Sequence, residues 1–259
     1  INWTVQNQGG SAPVVNSWSD RVYLTTNDTG NLANATILAS PGQSYSMPPG
    51  ATYNGSANVT IPNNFSGPYY FYVKTDRANN VDEYTQEENN VTRHTTPTEV
   101  LNPDLVVSDI VVPASATSGT PINISWSVKN NGPGDLHNSS WNDRIMLSHK
   151  SVYYADSSTQ LTVYNNSGVI NNGDSATRTV TVTLPNGIFG NHYIHIITDN
   201  SNHIYENVNE GNNLGSSIAF PVNLGPWPDL QVSTVAAPDT STAGLSLIHI
   251  SEPTRLDDI

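Results

Sequence analysis

The stretch Thr75–Asn90 returns as Thr198–Asn213, and no other feature constrains the fold of this chain so tightly. Seven positions keep their residue between the copies: Thr75/Thr198, Asp76/Asp199, Asn79/Asn202, Glu83/Glu206, Glu87/Glu210, Asn89/Asn212 and Asn90/Asn213. Each lies 123 residues from its twin, a spacing of domain size rather than of a solenoid turn. The register extends upstream without a gap. Ile1-Asn2-Trp3-Thr4-Val5 answers to Ile124-Ser125-Trp126-Ser127-Val128, and Trp18-Ser19-Asp20-Arg21 to Trp141-Asn142-Asp143-Arg144. Gly67–Asp76 answers to Gly190–Asp199. The chain therefore uses one module at least twice, and the conserved polar stretch closes it.

Each module reads as all-β. Ile122, Ile124, Trp126 and Val128 alternate with polar residues, a period of two with one buried face, before Asn130-Asn131-Gly132 turns the chain. The abundance of Asn, Ser, Thr, Gly and Tyr over helix formers agrees. About seven short strands per copy, punctuated by Gly, Pro and Asn, predict an antiparallel sandwich. The expected core pairs Trp3 with Trp126, Trp18 with Trp141, Val59 and Ile61 with Val182 and Leu184, and Tyr69, Phe71 and Val73 with His192, Ile194 and Ile196.

These patterns give the expected boundaries. Residues 1–102 form a module lacking its first strand, and 103–227 form a complete one. Residues 228–244 begin a third, because Pro228-Asp229-Leu230 echoes Pro103-Asp104-Leu105. Residues 95–102 read as a last strand and a short connector that runs straight into Pro103, unlike a flexible linker. From Leu245 the alternation stops. Leu245-Ser246-Leu247-Ile248-His249-Ile250-Ser251-Glu252-Pro253-Thr254-Arg255 resembles a translated transposase-type sequencing adapter, and Leu256–Ile259 fits its continuation through a sample index. Residues 245–259 are thus expected to be an artefact of an assembled metagenomic read, and the sequence a fragment whose N-terminus lies upstream of Ile1.

Pro103-Asp104-Leu105, Trp126-Ser127-Val128-Lys129-Asn130-Asn131-Gly132, Trp141–Ser148 and the closing stretch with Glu206, Glu210, Asn212 and Asn213 together resemble the bacterial cell-adhesion-related domain, CARDB. The resemblance covers residues 1–244. It implies tandem immunoglobulin-like sandwiches of large secreted or surface-anchored prokaryotic proteins, with no catalytic residue set.

Composition excludes several functions. With 22 acidic and 9 basic residues, the net charge of −13 is unsuited to nucleic acid phosphates. The acidic excess survives removal of the last fifteen positions. There is no cysteine, hence no disulfide, thiolate metal site or thiol nucleophile. No apolar run approaches a membrane span, so no membrane insertion is expected. An enzyme is not expected either. None of the seven histidines is shared between copies; His192 and His195 stand where Tyr69 and Tyr72 do. Three apart on a strand, these two also face opposite sides, which spoils a joint metal site. No nucleophile elbow or phosphate loop occurs. The Asn-x-Ser/Thr sequons at Asn27, Asn34, Asn54, Asn58, Asn90 and Asn138 arise by chance in a chain this rich in those residues.

The closing stretch is the one site candidate. Asp76, Asn79, Glu83, Glu87 and Asn90, with their twins Asp199, Asn202, Glu206, Glu210 and Asn213, carry the oxygen ligands that calcium takes. The competing reading makes Asp76–Asn80 a hairpin turn in which Asp and Asn cap backbone amides and adopt left-handed geometry. No cofactor is required on either reading. Asp20-Arg21 and Asp143-Arg144 are a second shared pair, read as a structural hydrogen bond from the Asp to a loop.

The leading expectation is a non-catalytic extracellular or cell-surface spacer and adhesion segment, its partners being flanking domains of the same polypeptide and a cell-surface protein or glycan. The alternative is an accessory region of a secreted hydrolase that binds polysaccharide through exposed Tyr70, Tyr72, Tyr153 and Tyr154.

Overall fold

A computed structural model describes residues 1–226, 229–237, 239–240 and 242–244. The first module contains β1 (Asn2–Gln6), β2 (Ser17–Ser19), β3 (Arg21–Thr25), β4 (Thr36–Ala39), β5 (Gly42–Ser44), β6 (Thr52–Ser56), β7 (Gly67–Lys74), β8 (Val91–Arg93) and β9 (Thr98–Val100). The second contains β10 (Leu105–Val111), β11 (Ala116–Thr117), β12 (Pro121–Asn130), β13 (Leu136–Ser148), β14 (Thr159–Ile170), β15 (Ser175–Thr183), β16 (Gly190–Ile197), β17 (Leu214–Ser216) and β18 (Phe220–Asn223). The chain is an all-β protein of tandem immunoglobulin-like antiparallel sandwiches. Each expected seven-strand set is divided more finely, into nine strands per copy.

The repeat register governs the fold as well as the sequence. β16 and β17 start and end 123 residues after β7 and β8. Even an irregularity repeats: pairing slips between Val22 and Tyr23 against β4, and between Ile145 and Met146 against β14. In the second module a three-stranded sheet, β10-β12-β15, covers a sheet ordered β11-β18-β16-β13-β14, with β17 also on β16. All pairings there are antiparallel except β11 with β18. The first module pairs β1 with β6 and β2 with β5, and orders β4-β3-β7-β8 with β9 on β7.

Alternation fills the space between the sheets. Ile122, Ile124, Trp126 and Val128 from β12 meet Trp141, Ile145 and Leu147 from β13 and Ile194 and Ile196 from β16 in one buried cluster. Burying each such side chain contributes roughly 1.5–3 kcal/mol. The expected core residues Val182, Leu184 and His192 are buried too. In the first module Trp18 and Phe71 are buried, whereas Trp3, Val59, Ile61, Tyr69 and Val73 are only half-buried.

Pro226–Ile259 forms a separate unit. Its described residues 229–237 form no strand, although an opening strand was expected there. A strand of the β10 type needs a β12-type neighbour, and no described segment of this unit supplies one; Leu230 and Val232 are almost fully exposed. Trp227, Pro228 and the adapter-like stretch 245–259 lie outside the described residues. No described helix is long and apolar enough to cross a membrane.

Candidate functional site

The shared polar residues fall into three groups with different tasks. The first crosses between the sheets. Trp126 on β12 donates its indole N–H to Asp143 Oδ2 at 2.8 Å, and Thr198, just past β16, donates to Asp143 Oδ1 at 2.7 Å. In the first module Trp3 Nε1 donates to Asp20 Oδ2 at 2.7 Å and Thr75 Oγ1 to Asp20 Oδ1 at 2.8 Å. Both aspartates are fully buried. Burial raises the Asp143 pKa, while the Thr198 and Trp126 hydrogen bonds oppose the rise. The aspartate thus bonds a threonine of the loop after β16 or β7, as the sequence suggested, and also a tryptophan of the facing sheet.

The second group shapes the turn after β7 and β16. Asp199 accepts the amides of His203 and Ile204 at 2.9 Å each, and Asp76 those of Asn80 at 2.9 Å and Val81 at 2.8 Å. Asp76, Asn79, Asp199 and Asn202 all adopt left-handed backbone, with φ of 39°, 53°, 41° and 49°. Short polar side chains tolerate that region because they bond their own backbone. Four of the ten candidate ligands therefore hold a turn.

The third group is Glu206, Glu210 and Asn213, with Glu83, Glu87 and Asn90 as its twin. Glu210 turns back to accept the Glu206 amide at 2.8 Å, as Glu87 accepts the Glu83 amide at 2.9 Å. Glu206 Oε1 accepts the amide of Leu105, the first residue of β10, at 3.1 Å. Beyond these bonds, Glu206 Oε2, Glu210 Oε2 and Asn213 Oδ1 are buried atoms without a hydrogen-bond partner. Buried polar atoms are normally paired, so three orphaned acceptors in one loop need a physical reason. Burial pushes Glu206 up to about 8, and the nearby charges of Glu210, Asp199 and Asp104 add to it. The twin is more open: Glu83 is half-buried, and its pKa is raised by burial and by Glu87 and Asp76. Glu83 Oε2 and Glu87 Oε2 are also unpartnered, but the buried orphan of Asn90 is its Nδ2, a donor. Among the described residues no three His, Cys, Asp or Glu side chains converge as a metal cluster.

Asp104, the residue before β10, packs against this loop and was not among the sequence candidates. It is buried, and its Oδ1 accepts from Asn212 Nδ2 at 2.9 Å. The signal was present in the repeated Pro-Asp-Leu at 103–105 and 228–230.

The aromatic residues proposed for polysaccharide need correction. Tyr72 is buried: its hydroxyl donates to Asn27 O at 3.2 Å and accepts from Gly30 N at 3.0 Å. Tyr70 is half-buried beneath Arg93, and Tyr153 lies against the His195 ring. Tyr154 alone of the four is exposed, with Lys150 over its ring. His195 is fully buried between Ser216 Oγ at 2.7 Å and Lys150 O at 3.0 Å. A surface groove of about 620 Å³ lined by Val112, Pro113, Ala116 and Ile122 carries no titratable side chain.

Two immunoglobulin-like sandwiches in register, tied by the same buried Trp–Asp–Thr node, define a tandem repeat of one β-domain. The CARDB family model matches residues 1–94 and again 102–217. The chain belongs to the CARDB family. Among solved structures it is similar to the CARDB domain of the PF1109 protein from Pyrococcus furiosus, in complex with di-metal ions. That match has 22% identity and a TM-score of 0.37, and covers 49% of this chain and 100% of that one. It is also similar to a Paenibacillus sp. cycloisomaltooligosaccharide glucanotransferase complexed with cycloisomaltoheptaose, at 14% identity and TM-score 0.31, over 47% of this chain and 14% of that one. A third is beta-glucosidase 3B from Thermotoga neapolitana in complex with alpha-D-glucose, at 11% identity and TM-score 0.31, over 49% and 17%. No curated protein matches the chain.

Proposed function

We propose that this chain is a non-catalytic spacer and adhesion segment of a large secreted or cell-surface prokaryotic protein. Its modules hold flanking domains of the same polypeptide away from the surface, in reach of a cell-surface protein or glycan. The observation that carries this reading is what the two copies hold in common. Asp20 and Asp143 join tryptophan and threonine, and Asp76 and Asp199 cap the closing turn. Repetition here preserves architecture, whereas no histidine recurs between the copies. A spacer needs a connector that does not behave as coil. Gly132 and Gly134 bring the turn after β12 close against the connector, where a Cβ would meet the backbone of Leu101, Asn102, Pro103 or Asp104. With donor and acceptor dyes placed near residues 30 and 172, single-molecule energy transfer should give one narrow distance distribution. A broad, coil-like distribution would overturn the spacer reading. On a glycan array the same chain should bind nothing through Tyr70, Tyr72 or Tyr153; retained signal lost on Tyr154→Ala would favour the hydrolase-accessory reading instead.

A further inference from the structure

We infer that Glu206, Glu210 and Asn213 of the second module form a binding site for a divalent cation of the calcium class, seated where the closing loop meets the start of β10. The inference is independent of the spacer reading. It rests on the kind of atom left orphaned. Glu206 Oε2, Glu210 Oε2 and Asn213 Oδ1 are all acceptors, all buried, and all without a donor. Glu206 is 1% exposed and Asn213 5%. Among the described residues no lysine or arginine forms an ion pair with either glutamate. An oxygen-only set of two carboxylates and a carboxamide is what a hard cation with flexible coordination takes, water filling its remaining positions. Glu210 is only half-buried, which leaves a route for the ion and its water.

The neighbouring carboxylate oxygens of Asp199, and one oxygen of each glutamate, are already committed to backbone amides, which leaves the three buried orphans to face a ligand. Both oxygens of Asp199 hold backbone amides, Glu206 Oε1 holds Leu105 N, and Glu210 Oε1 holds Glu206 N. Two acidic ligands and an amide also account for the absence of a cluster of three acidic or histidine side chains. Occupancy would fasten β10 to the closing loop across 101 residues of sequence, because Glu206 grips both the ion and the Leu105 amide. The first-module twin offers Glu83 and Glu87, but its buried orphan on Asn90 is an amide nitrogen rather than an acceptor, and it is the weaker site.

Thermal unfolding of the chelator-treated chain at neutral pH, with and without millimolar calcium, tests the inference. Calcium at about a hundred times its dissociation constant should raise the second-module midpoint by roughly 5–15 °C, and sodium chloride of equal ionic strength should not. Glu206→Gln and Glu210→Gln keep an acceptor for the Leu105 and Glu206 amides, so both variants should fold and lose the calcium response. An unchanged midpoint in the original chain overturns the site. So does an equal shift with sodium chloride, or a calcium shift that persists in both variants.

Discussion

Asp143 shows how a single carboxylate can organise a sandwich. It sits at zero exposure with one oxygen on the indole of the facing sheet and the other on Thr198. Asp143→Asn turns one acceptor into a donor that faces another donor, which should cost about 1–3 kcal/mol in urea unfolding of the second module. Thr198→Val keeps shape and removes the other bond. The double variant should lose less than the sum of the two, since both act on one node. His195 gives a pH prediction with a definite sign. The carbonyl of Lys150 can only accept, so Nε2 carries the proton and Nδ1 accepts from Ser216. Burial lowers the His195 pKa below its ordinary value, against the Lys150 hydrogen bond. The folded state therefore keeps the ring neutral. Stability from this group is present above about pH 6.5 and lost as pH falls from there through the lowered folded value. The twin Tyr72 reaches Asn27 O, the carbonyl at the matching position. His195→Tyr should accordingly flatten the decline in second-module midpoint between pH 7 and pH 5, read by circular dichroism.

At the scale of elements, the turn after β12 decides how the connector meets the second module. Asn130 is fully buried and donates to Gly134 O at 2.8 Å and Ile170 O at 3.0 Å, while accepting from Asp104 N and Gly132 N at 3.0 Å each. A Cβ on Gly132 would lie 2.5 Å from the backbone of Asn102, Pro103 and Asp104, atoms that cannot swing aside. Gly132→Ala should destabilise the second module by about 1–3 kcal/mol. Gly211→Ala, with nothing within 4 Å of its Cβ, should change stability by less than about 0.5 kcal/mol. The sequence carried the Asn-Asn-Gly turn, the paired tryptophans and the β16 and β17 registers, because each is local or repeats at a fixed offset. It did not carry the Trp126–Asp143 bond, since period-two alternation says which face a residue takes but not what stands opposite. Asp104 and the Glu206–Leu105 contact were hidden for a related reason: topology closes a gap of 101 residues there. Tyr72 read as exposed because an aromatic beside Phe71 must face one side or the other, and β7 buries both at its centre.

At the scale of the whole molecule, two copies of one design differ in how much core they assemble. Eighteen buried apolar side chains form a single cluster in the second module. The first module divides its core into Trp18, Met47 and Tyr53 on one side and Val22, Leu24 and Phe71 on the other. The difference follows from β10, whose Leu105, Val107 and Ile110 pack into the second core, a strand with no equivalent among the described elements of the first module. Tyr53 compensates in part by adding a third bond to Asp20 at 2.7 Å, where the second module has Ala176. One extra hydrogen bond contributes about 1 kcal/mol, less than a single buried leucine. The connector ties to the first module through Asn102 Nδ2 and Phe65 O at 3.0 Å, a bond too weak by itself to force joint unfolding. Scanning calorimetry should therefore resolve two transitions, the lower belonging to residues 1–102. Asp20→Asn should move the lower transition alone and Asp143→Asn the upper alone. A single transition displaced equally by either substitution would mean that the connector couples the modules more strongly than their separate cores allow.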